Sequence, residues 1–234
     1  MNDYLEHFSD DSLLPWFDYN DIDSALKNYL HLGVKKYSKK GTYIVKQGET
    51  IDKIHYLHKG KVKIVLLTAS GQEKTFWYAL GGNIVGCVPY YHNLPSNAGM
   101  IAVEDCELFS FDKKTFSEIL LKEPSIYEEM LTIVSKKIRI LVNTIQDISF
   151  LNPTARVCKL LYLMAQHYGV QCHDGITLKL NISHYEIASI TSLHRVTVTK
   201  ILNYLRQENI ISKSRSNSII IIDLNNLYKN AFEL

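Results

Sequence analysis

The stretch Ser183-His-Tyr-Glu-Ile-Ala-Ser-Ile-Thr-Ser-Leu-His-Arg-Val-Thr-Val-Thr-Lys-Ile-Leu-Asn-Tyr-Leu205 decides the fold of the C-terminal part of the chain. Ser183 and Glu186 have the Ser-x-x-Glu spacing of a capping box, which predicts that a helix begins there. A short turn is predicted at Thr191-Ser-Leu193, and a second helix is predicted to follow His194. Two helices joined by so short a turn are typical of a helix-turn-helix.

The second of these helices has an apolar face and a polar face. The side chains expected in the core are Leu193, Val198, Ile201, Leu202 and Leu205. Those expected on the outer face are Arg195, Val196, Thr197, Thr199 and Lys200. A recognition helix contacts base edges through its N-terminal residues, so this outer face is the predicted DNA contact, together with Ser183 and His184. A buried helical hairpin is the alternative interpretation.

The residues around this motif predict a winged helix with a basic surface. A polar, basic turn, Ser212-Lys-Ser-Arg-Ser-Asn217, precedes the apolar run Ile219-Ile-Ile-Ile222, which predicts two strands with a basic tip. Residues 153–234 contain nine Lys and Arg against five Asp and Glu, whereas residues 1–152 contain 17 against 19. A basic module on a slightly acidic body suits a polyanionic partner, although charge alone does not exclude chance.

The segment before the motif is predicted to be a helix, a loop and a strand. Asn152-Pro153 should end the preceding helix, because proline disfavours helix at the residue before it. A new helix is predicted from Thr154 to His167, then a loop from Gly169 to Gly175 and a strand from Ile176 to Leu180.

A long helix with a heptad pattern is predicted after Lys122-Glu-Pro124. Its apolar residues alternate at spacings of four and three: Tyr127, Leu131, Val134, Ile138, Leu141, Ile145 and Ile148. We call these seven residues the seam. A strict seam predicts pairing with an identical helix, so residues 127–148 are the predicted homodimer contact. A long core helix packed only within its own chain is the alternative.

A second stripe, the flank, lies beside the seam. Its members are Ile126, Met130, Ile133, Lys137, Ile140 and Thr144. An apolar flank predicts that the helix is also covered by other parts of the chain. Lys137 interrupts this flank, and a lysine in such a place either extends to water or meets an anion.

The region from Lys35 to Phe111 predicts a β-rich domain. Short apolar runs alternate with glycine-containing turns, as in Lys61-Val-Lys-Ile-Val-Leu-Leu67, the turn Ala69-Ser-Gly-Gln72 and the strand Thr75-Phe-Trp-Tyr78. The implied fold is an antiparallel roll or barrel. Neither a nucleophile–base pair nor a metal-ligand spacing occurs, so an enzyme and a metal site are not predicted.

The remaining features favour a protein of the reducing cytoplasm. Four cysteines, Cys87, Cys106, Cys158 and Cys172, form no C-x-x-C pair. The first thirty residues have no signal-peptide pattern, and no apolar run is long enough to span a membrane. We therefore expect a cytoplasmic protein with structural thiols.

The chain resembles the Crp/Fnr superfamily of transcription regulators. Ile182–Leu202 is similar to its helix-turn-helix, and the N-terminal half is similar in Gln47-Gly-Glu49, Ile54–Lys61, Gly71-Gln-Glu73 and Gly81–Gly86. Within the superfamily it resembles the halorespiration (CprK-type) regulators, which sense chlorinated phenols, in Glu73-Lys74, Tyr78-Ala79, Gly82-Asn83, Asn152-Pro153 and Val196-Thr-Val198.

The resemblance implies an effector site between the β-roll and the long helix. Halorespiration regulators place a lysine where Lys137 stands, and such a lysine suits a phenolate. The resemblance implies Trp77 and Tyr78 as aromatic walls of the site. It also places Val134, Gly86 and Cys87 nearby. These regulators carry a basic residue where this chain has Cys87. Cyclic nucleotide is disfavoured because Val88–Met100 contains no arginine to pair with a phosphate. For haem, His55, His58 and His92 are possible ligands, but surface histidines are the default.

The sequence therefore predicts an α+β protein of three parts. They are an antiparallel, cyclic-nucleotide-binding-like β-roll (1–122), a dimerisation helix with a hinge (123–152) and a winged helix-turn-helix (153–234). The resemblance implies an activator that contacts RNA polymerase and binds an inverted A·T-rich repeat of the TTAAT type, without a cofactor. The alternatives are a family member that senses haem, a gas or redox state, and a sensor module with vestigial DNA binding.

Overall fold

The computed structural model describes residues 24–179, 182–213 and 218–233, which form two compact units. The first unit ends at Arg139 and the second begins at Ile140, so the division falls within the long helix. The predicted three-part division at residues 122 and 152 stays a prediction.

The first unit is built from two four-stranded antiparallel sheets, as the sequence predicted for a β-roll. Its strands are β1 (Val34–Ser38), β2 (Tyr43–Val45), β3 (Lys53–Lys59), β4 (Lys61–Leu67), β5 (Glu73–Leu80), β6 (Ile84–Val85), β7 (Gly99–Ala102) and β8 (Cys106–Asp112). The strand orders are β1-β8-β3-β6 and β2-β7-β4-β5. Inward side chains of both sheets form one core, which includes Val45, Leu57, Val62, Met100 and Leu108.

Tight turns let these short strands reverse. Gly60, between β3 and β4, has a φ of +100°, and a Cβ there would lie 2.7 Å from the carbonyl oxygen of Asp105. Glycine is therefore required at this turn by both conformation and space. The predicted turn at residues 69–72 is confirmed by the bond from Gly71 N to Thr68 O (3.0 Å).

Three short helices of the first unit were not predicted. They are a 3-10 helix (Ala25–Leu32), α1 (Cys87–His92) and α2 (Lys113–Lys122). The Asp112 carboxylate caps α2 by accepting from the backbone N–H of Thr115 at 2.8 Å. An Asp three residues before a Thr is a weak signal, and the surrounding β pattern concealed it.

The long helix α3 (Ser125–Phe150) begins directly after Pro124, as predicted. Its flank residues Ile126, Met130 and Ile133 are buried, whereas the seam residues Tyr127, Leu131, Ile138, Ile145 and Ile148 are 49% to 69% exposed. The two predicted stripes therefore lie on different faces of the helix, one packed within the chain and one open to solvent.

The second unit contains the predicted winged helix-turn-helix. Its elements after α3 are α4 (Pro153–Tyr168), β9 (Gly169–Cys172), β10 (Gly175–Leu178), α5 (His184–Thr191), α6 (Arg195–Gln207), β11 (Ile211–Lys213), β12 (Ile219–Ile221) and α7 (Leu224–Phe232). Its four strands form a sheet in the order β11-β12-β10-β9. The tip of the predicted wing, residues 214–217, and the end of the predicted strand at Leu180 lie outside the described residues.

Two features of the second unit correct the sequence interpretation. The predicted loop Gly169–Gly175 is wrong, because residues 169–172 form β9 and pair in register with β10. Helix α7 was not predicted, since the four isoleucines before it favour a strand. The Asp223 carboxylate begins α7 by accepting from Asn226 N at 2.8 Å.

The prediction of surface histidines is wrong for His55 on β3. This side chain is buried, its Nδ1 lies 2.8 Å from Ser110 Oγ, and burial lowers its pKa from 6.5 to about 4. In the unfolded chain the imidazole is protonated below about pH 6.5. The folded state instead keeps it neutral down to about pH 4.

We therefore predict that His55 makes the first unit acid-sensitive. Its contribution is fully present above pH 6.5 and is lost as the pH falls towards 4, by about 3 kcal/mol in total. Urea unfolding at a series of pH values, compared between wild type and His55→Gln, measures this loss. The free energy of unfolding should change less with pH in His55→Gln than in the wild type. His92→Gln, at an exposed position, is the control. Equal pH profiles for wild type and His55→Gln would contradict the assignment.

Candidate functional site

The helix-turn-helix forms as the sequence predicted. Ser183 Oγ accepts from the backbone N–H of Glu186 (3.1 Å), and Glu186 Oε2 accepts from the backbone N–H of Ser183 (2.9 Å), which completes the capping box. The turn contains Ser192 at a φ of +57°, and Leu193 N donates to Ala188 O at 2.9 Å. Thr191 ends α5, and α6 begins four residues later at Arg195.

The recognition helix α6 has its predicted core and surface. Its buried residues are Val198, Ile201, Leu202 and Leu205. Arg195, Val196 and Lys200 are exposed, Val196 to 66%, and Thr197 and Thr199 are half-buried. Val196 is therefore exposed beside Arg195 at the N-terminal end of the helix, which is where a recognition helix contacts base edges.

His184 and Thr199 join the two helices of the motif. The Thr199 hydroxyl donates to the carbonyl oxygen of Arg195 at 3.0 Å, and His184 Nδ1 lies 2.9 Å from the same hydroxyl. The imidazole is the donor in the second contact, because the hydroxyl proton is already used. The hydroxyl proton of Thr199 is therefore not free for DNA, and its predicted contact would rely on its methyl group.

The surroundings of His184 are cationic. Burial lowers the pKa of His184, and the positive charges of Arg206, Arg195 and Lys213 lower it further. Arg206 and Lys213 were not among the predicted DNA contacts, although Lys213 lies in the basic turn that the sequence indicated. The surface that includes Ser183 and His184 on α5 and Arg195 on α6 is therefore positively charged.

The polar surface of α6 continues beyond the motif. Thr197 and Lys200 line an open groove of about 540 Å³, together with Thr154 at the start of α4, Tyr204 and Asn230. The Glu233 carboxylate lines the same groove, so the hydroxyl, amide and ammonium groups of the groove do not form a uniformly cationic surface.

A buried polar network connects the end of α3 to this motif. Lys159 Nζ of α4 lies 2.6 Å from Asp147 Oδ1 of α3, with the two side chains 7% and 27% exposed. One turn earlier, Arg156 donates through Nη1 to the carbonyl oxygen of Thr191 at 3.0 Å, where α5 ends. Two adjacent turns of α4 thus hold the end of α3 and the end of α5.

The predicted effector residues fall into two groups. Lys137 Nζ lies 5.5 Å from the centroid of the Trp77 ring, and it interacts electrostatically with the buried Cys87, which follows Gly86. Val134 lies one turn before Lys137 on α3 and is half-buried. Tyr78 follows Trp77 on β5 and its side chain points to the opposite face of the strand, where its ring lies 4.5 Å from Lys61 Nζ. Its role in an effector site stays a prediction.

The group around Lys137 lacks an anion among the described residues. Burial lowers the pKa of Lys137, and Cys87 is the one group that raises it. Burial likewise raises the pKa of the Cys87 thiol, which Lys137 opposes. Within residues 24–179, 182–213 and 218–233, Lys137 has no hydrogen-bond acceptor and no carboxylate partner. Lys137 is half-buried, and an ammonium that loses hydration without gaining an anion is destabilised, so the site favours a ligand that brings one.

Neither a metal-binding cluster nor a membrane-spanning helix occurs among the described residues. In the described ranges, no three His, Cys, Asp or Glu side chains lie close enough to share a metal ion. None of the helices in this part of the chain is both long and apolar enough to cross a membrane.

Comparisons with known proteins agree with this architecture. The cyclic nucleotide-binding domain model matches residues 35–123, and the Crp-like helix-turn-helix domain model matches residues 155–229. The chain belongs to the Crp/Fnr family. Members of the Crp/Fnr family are transcription regulators rather than enzymes, and this Crp/Fnr chain is an effector-responsive regulator of that type.

Individual relatives of this Crp/Fnr protein sense different signals. The cAMP-activated global transcriptional regulator CRP of Salmonella typhimurium is 25% identical over 193 residues, which cover 81% of this chain and 90% of that protein. The global nitrogen regulator of Nostoc is 28% identical over 167 residues, covering 70% and 75%. Two structures of CprK in complex with OCPA (o-chlorophenolacetic acid) are similar to this chain, with TM-scores of 0.74 and 0.76. The second is 25% identical and covers 92% of this chain and 97% of that one.

We predict that the Asp147–Lys159 pair stabilises the second unit. Asp147→Asn removes the carboxylate 2.6 Å from a buried ammonium. It should lower the free energy of unfolding by about 2 kcal/mol, less than for a fully buried pair because Asp147 is partly exposed. Urea unfolding measures the change, and Asp174→Asn, which removes an exposed carboxylate, is the matched control. Equal stabilities of the two variants would contradict the role of the pair.

Proposed function

We propose that this protein binds an inverted A·T-rich DNA repeat as a homodimer and responds to a small aromatic anion such as a chlorinated phenol. The exposed N-terminal face of α6 is the observation that carries DNA binding. It presents Arg195, Val196 and Lys200 beside further cations, which matches the phosphates and base edges of a major groove. With DNA bound, the N-terminal face of α6 contacts the bases.

Val196 determines the base preference in this proposal. A valine offers methyl surface to the C5-methyl group of thymine and has no acceptor for the N4 amine of cytosine. Arg195 and Lys200 donate to phosphates or to purine acceptors, and the methyl groups of Thr197 and Thr199 add apolar contact. The preferred half-site is therefore A·T-rich, of the TTAAT type, with Ser183 and His184 at the edge of the proposed contact.

We predict that Val196→Glu changes the sequence preference. The new carboxylate accepts from cytosine N4, so selection from a random DNA library should move one position of the half-site to a G·C pair. The original site should then bind about 10- to 100-fold more weakly, since a wrong base pair costs about 1–3 kcal/mol. Val170→Glu, the same substitution on exposed β9, should leave the consensus unchanged. A G·C-rich or non-palindromic consensus for the wild type would defeat the proposal.

The dimer part of the proposal rests on the exposed seam of α3. Tyr127, Leu131 and Ile138 recur at heptad spacing and stay open to solvent while the flank of the same helix is buried. Exposed apolar stripes of this length on one helix are typical of a surface that a second helix covers.

We predict that Ile138→Asp yields monomers. Two carboxylates would be buried in the seam of a symmetric pair, which should weaken the dimer by about 100-fold or more. Sedimentation over a concentration series measures this, and the same sample should lose affinity for a palindromic duplex. Thr132→Asp places the same charge on an exposed turn of α3 outside the seam and should remain dimeric. An Ile138→Asp variant that stays fully dimeric would exclude the seam as the contact.

The effector part rests on Lys137. The ammonium of this half-buried residue lies over the Trp77 ring and lacks an anionic partner in the described part of the chain. A phenolate would bring one negative oxygen on an otherwise apolar ring. Gly86, Cys87 and Val134 border the same place. The complex of the related CprK with OCPA supports this chemistry.

We predict that Lys137→Met weakens the effector response but keeps the fold. The lost charge-assisted bond is worth about 1.5–3 kcal/mol, so affinity should fall by about 10- to 100-fold. Thermal shift with a panel of chlorinated phenols, o-chlorophenolacetic acid, cyclic AMP and haem measures the response, with Lys136→Met as the neighbouring control. A wild-type protein that responds to cyclic AMP or haem and to none of the aromatic acids would contradict the proposed ligand class.

A further inference from the structure

The short helix α1 has an apolar face that its own chain does not cover. Cys87, Pro89 and Tyr90 of this helix are buried, whereas Val88 and Tyr91 are 54% and 49% exposed. Val88 and Tyr91 are three residues apart and therefore share one face of the helix. Leu94, just after the helix, is also exposed.

The buried side of α1 is fixed by aromatic packing. The Tyr90 ring meets the Phe116 ring edge-to-face at 5.8 Å, and the Tyr91 ring lies 5.0 Å from Tyr90. These contacts hold α1 against α2 and prevent it from turning its apolar face inwards. Val88 and Tyr91 therefore stay exposed in the folded first unit.

The exposed face of α1 adjoins the seam. The Tyr91 hydroxyl donates to Met130 Sδ on α3 at 3.8 Å. Burial raises the pKa of Tyr91 to about 12, and Tyr127 is among the groups that raise it further. Tyr127 and Leu131, the first two seam residues, are exposed next to Met130 on α3. Val88, Tyr91, Tyr127 and Leu131 therefore form one apolar surface, which we call the α1–seam surface.

The chemistry of this surface fits a second copy of this chain. No Asp, Glu, Lys or Arg occurs between Thr75 and Val103, so α1 itself carries no charge, and the nearby Lys113 of α2 donates to Asn93, directly after α1. Interface cores are depleted of charge and enriched in tyrosine. In a symmetric dimer both copies present the same surface. The outer face of α1 in one copy would then contact the partner next to the place where the two seams meet.

We propose that the outer face of α1 is part of the dimer interface, so that the partner copy packs against the helix that begins at the effector site. This inference rests on the proposed dimer and extends it to Val88 and Tyr91. Cys87 opens α1 and interacts with Lys137, while Tyr91, one turn later, meets the partner. Effector affinity and dimer affinity are then linked, and each changes the other by the same factor.

Photocrosslinking in the full-length protein tests the proposal. The photoreactive residue p-benzoylphenylalanine replaces Tyr91, Ile138 or Tyr37, the last being a 71% exposed tyrosine on the edge strand β1 that serves as the control. In a mixture of unlabelled and nitrogen-15-labelled protein, mass spectrometry should find crosslinks between copies from positions 91 and 138, and none from position 37. Crosslinks from position 138 without any from 91 would overturn this inference and leave the seam dimer intact. Crosslinks from neither position would overturn both.

A substitution series gives a second, independent readout. Val88→Glu should weaken the dimer by at least about 10-fold in sedimentation, because it buries a carboxylate against the partner. Val34→Glu makes the same change at an exposed valine on β1 and should leave the dimer unaltered. Equal dimer dissociation constants for Val88→Glu, Val34→Glu and the wild type would also overturn the inference.

Discussion

The helix Ser125–Phe150 has to bury one apolar stripe within its own chain while it leaves a second stripe open to solvent. Ile126, Met130 and Ile133 are covered, and Leu131 and Ile138 are exposed on the same turns. A single helix with both stripes supports the roll and, by our proposal, pairs with a second copy. A DNA-binding motif on each copy can then meet the two halves of an inverted repeat.

The same helix contains the one flank residue whose chemistry conflicts with its surroundings. Lys137 is a half-buried cation in an apolar stripe, and its pKa is lowered because its amine is partly desolvated beside Trp77 and Cys87. A residue that is costly in the free protein is well suited to sensing, since an anionic ligand removes the cost. Cys87 is also the first residue of α1, so by our proposals the ligand site, this helix and the dimer contact are neighbours in one unit.

Periodicity and capping signals made much of this architecture predictable. The heptad seam located α3, and the Ser183–Glu186 capping box located α5, because both depend on spacing within one segment. Pairing between distant segments is harder to predict, which explains why β9 was taken for a loop. The site followed the same rule. Lys137 was found as a break in a stripe, whereas Arg206 approaches His184 only in the folded unit and was not predicted.

The stoichiometry of the DNA complex tests the central claim most directly. The wild-type protein would be mixed with the palindromic duplex obtained by selection, with a single half-site as the comparison, and the mass of each complex measured by sedimentation. The account predicts two copies on the palindrome, bound cooperatively, and markedly weaker binding to the half-site. One copy per palindrome, with equal affinity for the single half-site, would contradict it.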